Sequence, residues 1–328
     1  MFISIIPFYI IAIANYHKIS TMYAALRNKS IYLYRPKQGG TGAKSVSDKS
    51  KANLRLKYSA GGLSNTAKND IRRIVQNWQW AVLASQKLWS KGRERRRRYL
   101  VLITLTLPAK QTDTDNEIKR RFLNVWLQNL ERVHKGINWL WVAECQHNGN
   151  LHFHVIVDRF VQFEWIRHTW NRVLGNGDYI VRYKAKFGNQ QPPSVNVEGQ
   201  NDMQNPARYI TKYLTGDKYV RDIQGRKWGC CDRLRTIDRA AFVCGDRIDQ
   251  YVVGDFERDL KDVKIGDYTT AYYFRTPLIK SGLYDTLLTY CRNDVCKLFA
   301  HLYPELTDCM LPDLPSPAWE DEGAAHVA

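Results

Sequence analysis

Two histidines one residue apart, His152-Phe153-His154, lie in the apolar run LHFHVIV, and downstream two tyrosines frame a lysine in Tyr209-Ile210-Thr211-Lys212-Tyr213. Residues two apart on a strand point to one face, so both imidazoles project together and could share a divalent cation. By itself the pair also fits strand histidines satisfied inside a core, and two imidazoles leave a cation short of ligands. On a helix, Tyr209, Lys212 and Tyr213 share a face. Met203, Ala207, Ile210 and Leu214 then form the opposite, apolar stripe. Phenols so placed either pack or attack phosphorus. A phenol of pKa about 10 attacks poorly unless an ammonium such as Lys212 and a cation polarising the phosphate assist it.

A third ligand for the histidines must come from a neighbouring strand, and Glu144 is the candidate. Its reach depends on the turn. A two-residue Asn148-Gly149 turn sets Glu144 opposite Phe153, an unpaired carboxylate on the apolar face. A three-residue turn, His147-Asn148-Gly149 with Gly149 in the left-handed region, pairs Gln146 with Asn150 and sets Glu144 opposite His152. Burying an unpaired carboxylate is costly, so the three-residue turn is expected. Two imidazoles and one carboxylate leave positions open for substrate oxygen and water, a set suited to Mn²⁺ by affinity and to Mg²⁺ by abundance.

The elements that must hold these groups are legible in the patterning. Val101 to Leu107 alternates as a strand, and Trp139 to Cys145 and Leu151 to Val157 read as a hairpin. Helices are expected from Asn69, over Asp113 to His134, over Val161 to Leu174 and over Met203 to Leu214, with short strands at Tyr179 to Tyr183 and Ser194 to Val197. Strand, helix, hairpin, helix, strand is the order of an α+β fold with a ferredoxin-like or RRM-like antiparallel sheet and helices packed on it. Helical decorations are expected at both ends. The division expected is an apolar segment and flexible linker over 1–68, a catalytic unit with a basic N-terminal helix over 69–260, and a helical extension with an acidic tail over 261–328. Tyr268 to Tyr303 falls in that extension and reads as helical.

Forty-nine Lys and Arg stand against 32 Asp and Glu, a formal charge of +17. Such a surplus favours a polyanionic partner, and Arg95, Arg96, Arg97 and Arg98 beside Tyr99 are candidates for phosphate contact. Seven cysteines without a CxxC pair read as free thiols of a reducing compartment. Gly39 to Ser45 imitates a phosphate loop, but Ala43 stands where that loop needs glycine. The apolar stretch Phe2 to Ala14 is interrupted by Pro7, is short of the ~20 residues of a spanning helix and has no preceding cation. Met22 is an alternative start. Membrane association and a small-molecule cofactor are not expected.

HxH on a strand, a glutamate eight positions before it and a downstream YxxKY together resemble the HUH replication initiators, most nearly the two-tyrosine type of small single-stranded DNA phages and bacterial plasmids. Leu102 to Pro108 resembles that family's first motif, and Lys227-Trp228-Gly229 a segment that follows its tyrosine helix. The resemblance covers roughly residues 99 to 235. It implies a metal-dependent nickase with His152, His154 and Glu144 as ligands, Tyr209 as first nucleophile and Tyr213 as second. It further implies a 5′-phosphotyrosine, a free 3′-hydroxyl primer, and Trp228 near DNA. Single-stranded DNA or an origin hairpin, a host helicase and a DNA polymerase are the partners implied, in the cytoplasm of a bacterial host. Two other readings are a single-strand transposase of the same chemistry and a non-enzymatic RRM-like nucleic-acid binder.

Overall fold

Strand-period alternation is realised twice, in two antiparallel sheets of five strands each. The structure, a computed structural model, describes residues 22–27, 30–34, 63–88, 99–189, 191–198, 221–237, 241–244, 257–266, 269–276, 298 and 300–304. In chain order come β1 (Met22–Arg27), β2 (Ser30–Tyr34), α1 (Asn65–Leu88) and β3 (Val101–Thr106). A helical stretch follows, α2 (Asp115–Ile118), a π-helical turn (Lys119–Leu123) and α3 (Asn124–Val133). Then come the hairpin strands β4 (Trp139–Cys145) and β5 (Leu151–Val157), helices α4 (Phe163–Gly175) and α5 (Tyr179–Phe187), and β6 (Val195–Glu198). The last elements are β7 (Trp228–Cys230), α6 (Asp232–Arg235), β8 (Ala241–Cys244), β9 (Leu260–Gly266) and β10 (Thr269–Phe274).

The second sheet has the order β6-β3-β5-β4-β7. Its first four strands, with the intervening helices, form the expected α+β, ferredoxin-like arrangement, and β7 extends it beyond β4. Register explains which face is the core. Leu105, Phe153 and Ala143 are directly paired across β3, β5 and β4, as are Ile103, Val155 and Trp141. All six are buried, together with Phe122, Trp126 and Leu130 of the helical stretch and Ile166, Trp170 and Leu174 of α4. Trp170 meets both Trp126 and Phe153 edge to face, the arrangement aromatic quadrupoles favour. Gly229 in β7 is required by this face, since a β-carbon there would come within 2.9 Å of the Trp141 indole nitrogen.

The other face is apolar at one end, with Leu102, Ile156 and Leu140 buried. The opposite end carries the polar residues described below.

The first sheet has the order β8-β1-β2-β10-β9. It unites strands from both ends of the chain, and Tyr32 and Tyr273, 241 residues apart, bring their hydroxyls to 3.1 Å. Helix α1 packs against β1 and α6.

Three expectations are corrected. Tyr179 to Tyr183 is not a strand but the first half of α5. The free edge of β3 is taken by β6, and Tyr179 is buried with its hydroxyl donated to Asp113 Oδ2 at 2.9 Å. Part of Tyr268 to Tyr303, read as helical, is β10, because β2 offers an edge to which Thr269–Tyr273 pair. Helix is present in that region at residues 298 and 300–302. Within 1–68, residues 22–34 form a hairpin that belongs to a sheet. The 37–62 connection, the apolar segment and the imitation phosphate loop lie outside the described residues. Among the described residues no helix is long and apolar enough to cross a membrane.

Candidate metal centre

Strand alternation and turn geometry together assemble the polar end of the sheet. Gly149 adopts φ 83, a left-handed conformation that glycine enters without steric cost. The Gly149 amide donates to the Gln146 carbonyl at 2.8 Å and the Gln146 amide to the Asn150 carbonyl at 2.9 Å. This is the three-residue turn, and it pairs Glu144 with His152. His154, one pleat further along, shares the face, while Leu151, Phe153, Val155 and Val157 are fully buried on the other.

The three side chains converge. His154 Nε2 lies 2.9 Å and His152 Nε2 3.5 Å from Glu144 Oε2. The two Nε2 atoms are 2.8 Å apart, with the rings nearly perpendicular at 85°. Among the described residues, Glu144, His152 and His154 form a group whose ligand atoms all lie within 4.8 Å of one another. Glu144 keeps one-third of its side chain exposed, whereas His154 is buried. The site therefore has a closed floor and an open mouth.

Electrostatics prepares the donors. Burial pushes the Glu144 carboxyl up, but hydrogen bonds from His152 and His154 outweigh it and hold the pKa at about 2. Burial, with the neighbouring His152, outweighs the pull of Glu144 and lowers His154. At neutral pH the acid is ionised and the His154 imidazole neutral, the protonation states a cation requires. Thr104, paired with His154 across β3 and β5, places its hydroxyl 3.2 Å from Nδ1. If Nδ1–H donates to Thr104, Nε2 presents its lone pair to the site, the usual way an outer partner fixes a ligand tautomer. Nδ1 of His152 is buried without a partner among the described residues. Two nitrogens and one carboxylate oxygen converging on one point fit a divalent cation, which would act there as a Lewis acid on a phosphate oxygen.

A second polar cluster fastens the turn. Asp115, buried in the first turn of α2, accepts from both terminal nitrogens of Arg221 at 2.6 and 2.7 Å. Arg221 Nε donates to the Gly149 carbonyl at 2.9 Å. Gln111 donates to Asp115 at 2.7 Å and accepts from the Leu151 amide at 2.8 Å, next to His152. Lys119, in the π-helical turn, donates to the carbonyls of Gln224 and Arg226. Residues 221–227 are thereby held between α2 and the ligand hairpin.

Of the residues singled out in the sequence, Glu144, His152 and His154 are brought together. Trp228 is half-buried and pairs with Val142, which pairs with His154, so it lies on the ligand face. Tyr209, Lys212, Tyr213 and Arg95 to Arg98 lie outside the described residues. Sequence reasoning missed Thr104, Asp115 and Arg221. Thr114-x-x-Glu117 announces the capping box that opens α2, but nothing in the spacing links Asp115 to Arg221. Cys145, Cys230 and Cys231 are buried free thiols, as expected, and burial raises Cys231 to about 11.

Fold and site thus define an α+β protein with a two-histidine, one-glutamate candidate metal centre on an open sheet face. Over residues 100–218 the chain matches the family model described as Replication-associated protein ORF2. It is similar there to replication-associated proteins, and the matched stretch contains all three ligands as well as the two tyrosines. Comparisons with curated proteins and with solved structures gave no match.

Proposed function

We propose that this protein is a rolling-circle replication initiator of the two-tyrosine HUH type, an endonuclease that nicks single-stranded origin DNA. The convergence of Glu144, His152 and His154 within 4.8 Å carries this reading, because a lone sheet that stacks bases has no use for it. The match to replication-associated proteins over 100–218 supports it. The nuclease unit spans 69–260, flanked by 1–68 and 261–328.

In this reading Glu144, His152 and His154 hold Mg²⁺ or Mn²⁺, which withdraws charge from the scissile phosphate. The Tyr209 phenol loses its proton to water, assisted by the Lys212 ammonium, and its oxygen bonds to phosphorus. The bond from phosphorus to the 3′ oxygen breaks, and that oxygen takes up a proton. A 5′-phosphotyrosine and a free 3′-hydroxyl primer result, with bond energy kept for rejoining. Tyr213 serves the second transfer. Trp228 and Arg95 to Arg98 contact DNA, a host helicase and polymerase extend the primer, and the setting is the cytoplasm of a bacterial host.

The test is incubation of the protein and Mn²⁺ with single strands that tile the DNA around its coding region. The expected result is a covalent adduct surviving denaturation, lost in Tyr209→Phe and retained for the first cut in Tyr213→Phe. Adduct formation by the double variant would overturn the tyrosine roles. Salt-sensitive binding without any adduct would leave an RRM-like binder, and rejoining of two element ends would indicate a transposase.

A further inference from the structure

Helix α5 has no part in the metal centre, yet its composition and exposure are unusual. Over Tyr179–Phe187 it carries Arg182, Lys184 and Lys186 and no acid. Val181 is 62% and Phe187 57% exposed, large apolar groups on a helix that already buries Tyr179. Lys184 is three residues after Val181 and three before Phe187, so the three form one continuous strip. Phe187 stacks obliquely on Tyr183, with centroids 4.7 Å apart, and the Lys186 ammonium lies 5.2 Å from its ring. Lysines near a helix C-terminus also complement the dipole, but that does not account for an exposed phenyl ring and valine between them.

The position of α5 is fixed relative to the ligands. Arg182 donates to the Lys110 carbonyl at 2.9 Å and to the Thr112 hydroxyl at 3.1 Å. The same loop leaves β3 at Thr106, the partner of His152, and is tied by Gln111 to the Leu151 amide. The helix is therefore bolted to the rim of the sheet at the end where the metal ligands lie.

We infer that α5 is a landing surface for single-stranded DNA, with Phe187 stacking on an unpaired base and Lys184 and Lys186 bridging to phosphates. Charge complementarity selects a polyanion, and an exposed ring selects unpaired bases over duplex. This rests on the proposed handling of single-stranded DNA and adds a site for it.

Fluorescence anisotropy with labelled oligothymidylate, on the full chain, tests it. Phe187→Ala is expected to weaken binding about tenfold, and Phe187→Tyr to restore it. Lys184→Ala with Lys186→Ala is expected to flatten the log-log salt dependence by about 1.4, two phosphate contacts at ~0.7 each. A matched duplex should lose less affinity in Phe187→Ala. Unchanged single-strand affinity in Phe187→Ala, or an unchanged slope in the lysine variant, would overturn the assignment. Should Phe187→Ala misfold by circular dichroism, the surface lysine variant decides alone. Binding is read apart from cleavage. A wild-type protein that binds but never forms an adduct removes the nuclease and keeps this surface, and one that cleaves while these variants bind normally does the reverse.

Discussion

A single hydroxyl shows how much of a metal site lies outside its ligands. Thr104 touches no cation in the proposed geometry, but it sets which nitrogen of His154 is free. Thr104→Val should weaken Mn²⁺ binding roughly 10- to 100-fold, the usual effect of removing an outer partner, with the fold intact; titration calorimetry checks both. Protons compete for the same nitrogen. With His154 held below its ordinary 6.5, competition there begins only under that pH, and Glu144 at about 2 stays ionised throughout. Asp115 belongs to the same scale. Burial raises its carboxyl, but the Arg221 and Gln111 side chains and the Gln224 amide outweigh it and hold it below 3.8. A depressed carboxyl stabilises fully above its unfolded value and ceases to do so as pH falls through the folded one. Asp115→Asn should cost about 3 kcal/mol at neutral pH, the low end for breaking a buried pair because Arg221 is one-third exposed. In urea titrations the gap from wild type should close as pH drops below 3.8.

At the scale of elements, the turn between β4 and β5 decides whether a site exists at all. Alternation has a period of two, so a one-residue slip exchanges the faces. Deleting Asn148 should turn Glu144 toward Phe153 and abolish Mn²⁺ binding, whereas Gly149→Ala should cost only about 1–2 kcal/mol of backbone strain. Nothing lies within 4 Å of a β-carbon at Gly149, so no clash adds to that strain. A Gly149→Ala variant that lost the metal would show that the register depends on more than the turn. The ligand hairpin was legible because two constraints agreed, apolar alternation and the penalty for a buried acid. Helix α5 was not legible as a helix. Its β-branched and aromatic residues favour a strand locally, and only the occupied edge of β3 and the Tyr179–Asp113 bond settle it otherwise.

For the whole molecule, charge and connectivity set different limits. The +17 surplus announced a polyanion but could not say where on the surface it would lie. The ferredoxin-like order could be read from element succession, because neighbours in sequence pair. The other sheet could not, since its partners are remote. β2 completes its pairing only with β10, and Tyr32 reaches its partner hydroxyl across 241 residues. On a ribosome adding about 5–20 residues each second, the first hairpin emerges and then waits on the order of ten to fifty seconds for its neighbour. Throughout that interval its open edge is available to other nascent chains, and a holding chaperone would have its longest opportunity there.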